Sequence, residues 1–187
     1  MKTDRLNAFT DGVLAIAITI MVLELHVPGG RDLDSLLPVL SLLGAYALSF
    51  VNIGIFWTNH HHMMQAARRV DGATLWANLL LLFWLSLVPF VIRWIGEAGI
   101  SPAPVAAYGF VLAMAAIAYF VLERALIAAD PNSPVKTATG GKGKEIVSMV
   151  LYLAGMVLAL VSPWLSIAAY VAVAALWLVP DRRFERT

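Results

Sequence analysis

The chain has 187 residues, 60% hydrophobic and only 13% charged, whereas a soluble domain sits near half apolar and about a quarter charged. The surplus must face lipid, so an integral membrane protein is expected. The absence of cysteine excludes disulfides and thiolate metal sites, and a net charge of +1 leaves no nucleic-acid footprint.

A membrane-crossing helix needs about 20 mostly apolar residues. Six are predicted, forming one all-α domain over 1–187. Helix 1 covers about 4–26, and helix 2, about 36–61, follows the break His26-Val-Pro28-Gly29-Gly30. Helix 3 covers about 74–95 and is bent by Pro89. Helix 4, about 104–127, follows Gly96-Glu97-Ala98-Gly99. Asp130-Pro-Asn-Ser-Pro134 and Gly140-Gly-Lys-Gly-Lys144 make the longest polar loop. Helices 5 (about 145–161) and 6 (about 163–179) are near the lower length limit and are joined by Ser162-Pro163. The first apolar run is too long for a cleavable signal peptide and lacks a small-residue cleavage site, so helix 1 is expected to persist.

Lysine and arginine set the orientation. With the N-terminus inside, Lys2, Arg5, Arg68, Arg69, Arg124, Lys136, Lys142, Lys144, Arg182, Arg183 and Arg186 fall on the inner side. That leaves only Arg31 and Arg93, of the 13 cations, outside. The bias predicts six spans, with both termini cytoplasmic.

Helix 1 carries two surfaces. At 100° per residue, Arg5, Phe9, Gly12, Ile20 and Leu23 lie within about 40° of Ile16, Thr19 about 60° to one side, and Asp11 about 140° away. A branched apolar stripe of this kind serves packing, lipid contact, or a pore that gates by dewetting; periodicity alone does not choose. A carboxylate two turns inside a membrane helix is costly without a partner. Candidates for Asp11 are His60 or His61 and Trp57 at the inner end of helix 2, and Asn78 on helix 3.

Other residues carry less. His60, His61 and His62 point about 100° apart in succession and cannot converge on one metal ion from one chain. Glu123-Arg124 reads as interfacial, with pairing open. Trp57, Trp76, Trp94, Trp164 and Trp177 fall near span ends, as an aromatic belt does. Glu24 stands at the outer end of helix 1, where it either concentrates cations at an outer mouth or is a solvated helix-end carboxylate.

The run Arg5-x-x-x-Phe9-Thr10-Asp11, leading into Gly12-Val-Leu-Ala-Ile16-Ala-Ile-Thr19, resembles the helix 1 signature of the transmembrane protein 175 family of potassium channels. The family has serine where this chain has Thr10, a change that keeps the hydroxyl. Phe56-Trp57-Thr-Asn-His60-His61 resembles the end of the family's helix 2, and Asn78 through Phe90 resembles its helix 3. Helices 4 to 6 match only in number and length.

The resemblance implies six helices per repeat with no reentrant pore loop. For a single-repeat chain it implies a homotetramer whose central pore is lined by four copies of helix 1. It places the constriction at Ile16, further apolar layers at Ile20 and Leu23, and a polar layer bearing on ion selectivity at Thr19. Arg5, Phe9, Thr10 and Asp11 are expected to brace helix 1 against helices 2 and 3 through Trp57, His60 or His61, and Asn78. The implied activity is passive conduction favouring potassium, with sodium or other monovalent cations as further permeants and no cofactor. The implied setting is the cell membrane. A carbonyl filter of the Thr-Val-Gly-Tyr-Gly type is missing from the sequence, so selectivity is expected to be modest.

Two rival readings are weaker. A secondary transporter or proton-coupled carrier lacks support from an inverted repeat, paired broken helices, or central acids in helices 3 to 6. An enzyme lacks a nucleophile–base–acid set and a glycine-rich phosphate loop.

Overall fold

The computed structural model describes residues 3–30, 32–135 and 142–178, all in helices or the turns between them. In order these are α1 (Thr3–Leu23), a 3-10 helix (Leu33–Val39), α2 (Leu40–Ala66), α3 (Gly72–Ser86), α4 (Val88–Ala98), α5 (Pro102–Ala129), α6 (Lys142–Leu158) and α7 (Pro163–Leu178). Lys2, Arg31, Lys136, Arg182, Arg183 and Arg186, which carry part of the charge asymmetry, lie outside the described residues, as does Val179.

The helix boundaries have local causes. Asp71 opens α3: its Oδ1 accepts from the Thr74 backbone N–H at 2.9 Å and the Thr74 hydroxyl at 2.8 Å. Those hydrogen bonds hold the Asp71 carboxyl below the usual carboxylate range. The single helix expected over 74–95 is two, α3 and α4, parted at Leu87. Pro89 has no N–H, and its ring crowds the carbonyl four residues back. The chain responds with a tighter turn, Leu87 N to Trp84 O at 3.2 Å, and the helix resumes with Val91 N to Leu87 O at 3.2 Å. Gly99 follows α4 at φ +70 and ψ −174, a conformation open essentially to glycine. Helix 1 ends at Leu23, before His26, and α2 runs past His61 to Ala66.

Among the described residues, four stretches are long and apolar enough to cross a bilayer: Thr3–Leu23, Leu33–Ala66, Gly72–Ala98 and Pro102–Ala129. α6 and α7, with 17 and 16 residues, are shorter. They form a hairpin in which Ser162 N bonds Leu158 O at 2.7 Å and Pro163 opens α7.

α5 is central, packing against α3, α4, α6 and α7, while α1 lies on α2, α3 and α4. Close approach around α7 depends on small residues. A Cβ added at Gly109 or Gly155 would collide with the Tyr170 ring. In lipid, burial of apolar side chains offers little net drive, so tight packing and interhelical hydrogen bonds hold such a bundle. One buried set joins Ser49 and Asn52 of α2 to Tyr108 of α5. The Ser49 hydroxyl donates to Tyr108 Oη at 3.0 Å, and Asn52 Nδ2 donates to the same oxygen at 3.4 Å.

Candidate functional site: α1 and its polar brace

α1 is packed on one side only. Leu6, Thr10, Leu14, Ala17 and Met21 are buried against its neighbours. The opposite surface carries Phe9, Ile16, Ile20 and Leu23, with Ile16 60%, Ile20 40% and Leu23 81% exposed. Gly12 and Thr19 share that exposed side. The exposed arc therefore contains the residues that the wheel grouped around Ile16.

Thr19 Oγ1 donates back to its own helix, 2.9 Å from Ile16 O and 3.1 Å from Ala15 O. Its single proton is thereby engaged, and the lone pairs of its oxygen remain for a partner outside the helix.

The brace divides into two parts. The buried part is a chain across three helices. Asn78 Nδ2 of α3 donates to Thr10 Oγ1 of α1 at 3.0 Å, and Asn78 Oδ1 lies 2.9 Å from His60 Nε2 of α2. An amide oxygen only accepts, so His60 Nε2 carries the proton here. Thr10, His60 and Asn78 are each buried. The second part lies at the protomer surface, where Trp57 Nε1 donates to Asp11 Oδ1 at 2.8 Å. The Trp57 ring stacks on His61 at 5.8 Å, and His61 Nε2 meets Gln65 Nε2 at 2.9 Å.

Hydrogen bonds join part of the expected brace within one protomer. His60, not His61, joins the buried chain. Arg5 and Phe9 are exposed, and no hydrogen bond or ion pair joins Arg5 to another described residue. The two residues share a face with Ile16, pointing away from α2 and α3.

At the other end of α1, Glu24 Oε2 lies 3.9 Å from Arg93 Nε, and that nitrogen donates to Glu97 Oε1 at 2.9 Å. Glu24 is thus partly neutralised by α4 and is not a lone solvated carboxylate. Arg93 was legible in the sequence only as an outer cation. Glu123 and Arg124 do not pair: one Glu123 carboxylate oxygen is buried without a hydrogen-bond partner, and the Arg124 guanidinium lies over the Phe120 ring at 4.7 Å.

Sequence reasoning also passed over a cavity of about 240 Å³ between α2, α5, α6 and α7. It includes Asn52, Phe56, Tyr119, Glu145, Tyr152 and Trp177 among its lining residues. Asn52 and Glu145 were the available signals, since polar residues within apolar helices call for partners.

Comparison with known proteins places this arrangement. The family model described as the endosomal/lysosomal potassium channel TMEM175 matches residues 5–89, the segment that contains α1, α2 and the α3 half of the brace. A protein of Chryseobacterium sp. named as a potassium channel is 48% identical over 188 residues, covering 100% of this chain and 98% of that one. Another so named, from Streptomyces collinus, is 32% identical over 90% of this chain and 88% of its own length. The crystal structure of a protein described as a lysosomal potassium-selective channel TMEM175 homolog from Chamaesiphon minutus superposes with a TM-score of 0.80. It is 31% identical and covers 95% of this chain and 96% of that one. Near-complete coverage at these identities, together with the match over the helix 1 signature, shows that the chain belongs to the TMEM175 family of multi-pass membrane channels.

Proposed function

We propose that the chain is a potassium-preferring channel that conducts passively across the cell membrane as a homotetramer, with four copies of α1 around the pore. The observation that carries this reading is the one-sided packing of α1, which leaves Ile16, Ile20 and Leu23 exposed within the protomer. Four such stripes facing one axis would form stacked apolar rings, and a narrow apolar ring resists wetting. Membership in a channel family, rather than an enzyme family, supports the same reading.

In this arrangement Ile16 forms the constriction and Ile20 and Leu23 the next layers. Thr19 supplies oxygen lone pairs to a partly dehydrated cation. Potassium gives up its water more readily than sodium, so a dry constriction with few oxygens favours potassium modestly. Glu24, balanced by Arg93, sits at the outer mouth. Thr10, Asp11, Trp57, His60 and Asn78 fix the rotation of α1, and Arg5 and Phe9 face the neighbouring copies. All six spans cross, with α3 and α4 forming one span, and both termini are cytoplasmic, in keeping with the cation bias.

The test is cation flux into proteoliposomes with potassium and then sodium. Wild type should give ohmic flux favouring potassium, and Ile16→Asn should be leakier or less selective. Unchanged conductance and selectivity in Ile16→Asn would remove the constriction from α1. Saturating flux that requires a coupled ion gradient would replace the channel with a carrier.

A further inference from the structure

We infer that the outer face of the α6–α7 hairpin selects its lipid: it is fitted to phospholipids with short acyl chains and thins the bilayer beside it. The inference rests on the reading above that the hairpin crosses the membrane at the rim of a pore built on α1. Length sets the demand. The apolar run of α6 begins at Ile146, after Lys144 and Glu145, and reaches the turn at Val161-Ser162, while α7 has 16 residues. At 1.5 Å per residue each arm covers about 24 Å, against about 30 Å for a typical hydrocarbon core. Pro180, Asp181, Arg182 and Arg183 follow in the sequence, so the apolar run of the second arm ends at Val179. Measured between charges in the same way, Gly72–Ile92 of α3 and α4 and Pro102–Leu122 of α5 each cover about 32 Å. The tryptophans repeat the contrast. Trp76 and Trp94 of α3 and α4 stand about 27 Å apart along the helix axis, and Trp164 and Trp177 of α7 about 20 Å.

Packing fixes the height of the hairpin, so it cannot slide to share the shortfall. The Tyr170 ring of α7 fills the space beside Gly109 of α5 and Gly155 of α6, where no Cβ fits, and its hydroxyl donates to Val105 O at 3.3 Å. Gly109 lies as far into α5 as Tyr170 lies into α7, so the two helices start level at the outer end. The deficit therefore falls on the inner side. There the Lys144 ammonium lies 5.8 Å from the Trp177 ring, and Trp177 Nε1 donates to Ser148 Oγ at 2.8 Å. These contacts tie the polar edge of α6 to the tryptophan of α7 and set one level for both arms. A helix that is too long adapts by tilting, but tilting shortens a span further, so here the lipid must yield.

The hairpin also presents the surface that lipid would cover. Val150, Leu153 and Val157 share one face of α6 and are exposed, Val157 by 67%. α1 rests on α2, α3 and α4, whereas the hairpin rests on α5 and α2. The exposed side of α1 points away from this bundle, so a pore there leaves the α6 stripe at the rim, against acyl chains.

The chain has no cysteine, so Val157→Cys places a single fluorophore on the α6 stripe and Phe83→Cys a reference on α3. The full chain is reconstituted in equimolar dimyristoleoyl-, dioleoyl- and dierucoyl-phosphatidylcholine, with a single one of the three brominated at a time. The brominated short-chain lipid should quench the label at Val157 about twice as strongly as the brominated long-chain lipid, and the label at Phe83 should show no such ratio. Equal quenching by all chain lengths at Val157, or the same ratio at Phe83, would overturn the inference. So would the absence of lipid quenching at Val157, and aqueous iodide then tells two failures apart. Iodide access would show that the hairpin does not span, and iodide exclusion that protein covers the stripe. Quenching does not depend on conduction, so a protein without flux that keeps the ratio would retain this inference while losing the channel reading. If Val157→Cys fails to fold, Val150→Cys on the same stripe replaces it.

Discussion

Replacing Asn78 by leucine keeps the branched outline of the side chain but removes both hydrogen bonds that tie three helices together. Thr10 and His60 lose partners at 3.0 and 2.9 Å. In membrane bundles such bonds average about 0.6 kcal/mol and reach about 1.7 kcal/mol, while a stranded buried polar group in a protein interior costs about 1–3 kcal/mol. The two losses are unequal. The Thr10 hydroxyl can turn onto a carbonyl of its own helix one turn earlier, as Thr19 does. The His60 ring is only 2% exposed and has no comparable escape. The expected destabilisation is therefore about 1–3 kcal/mol, most of it from His60. The assay is reversible unfolding in mixed detergent micelles, followed by circular dichroism. A double-mutant cycle with Thr10→Val should return a coupling of about 0.6 kcal/mol. A loss below about 0.5 kcal/mol for Asn78→Leu, or a cycle that closes to zero, would refute the buried chain as a stabilising element.

Removing the surface half of the brace by Asp11→Ala should reduce the yield of assembled tetramer in size-exclusion chromatography without altering the potassium-to-sodium flux ratio of what assembles; normal tetramers with a changed ratio would assign Asp11 to ion handling. Gly109→Ala and Gly155→Ala should each lower stability by about 1–3 kcal/mol through overpacking against Tyr170. Tyr170→Phe should partly rescue only the first, because its hydroxyl is the nearest atom at Gly109 but a ring carbon is nearest at Gly155; equal rescue of both in thermal melts would contradict the packing. The Asp71 carboxyl titrates below its usual range, so its contribution is full above about pH 4 and is lost as pH falls through the lowered value. Wild type should exceed Asp71→Asn in stability at neutral pH, and the gap should close in strong acid; a gap that persists there would show that the cap does not depend on charge.

Composition and helix length alone make the class of this protein legible. Its composition cannot be buried in a soluble core of this size, and runs of about 20 apolar residues must span as helices because lipid satisfies no backbone group. The two faces of α1 were legible too, since 100° per residue is a property of the helix and not of its neighbours. Tertiary structure decided what the periodicity left open. Asp11 had four candidate partners, and the packing of α2 and α3 gave it Trp57 while assigning His60 to Asn78. Neighbouring histidines on one helix are equivalent in sequence, and only the rotation of α2 distinguishes the one that faces inward. Pro89 announced a bend, but the split into α3 and α4 at Leu87 reflects where the chain tightens to carry the missing hydrogen bond. The Glu24–Arg93 contact joins residues 69 positions apart, and the cavity beside Tyr119 brings together Asn52 and Trp177, 125 positions apart. No local pattern encodes such meetings, because they exist only once the helices are side by side.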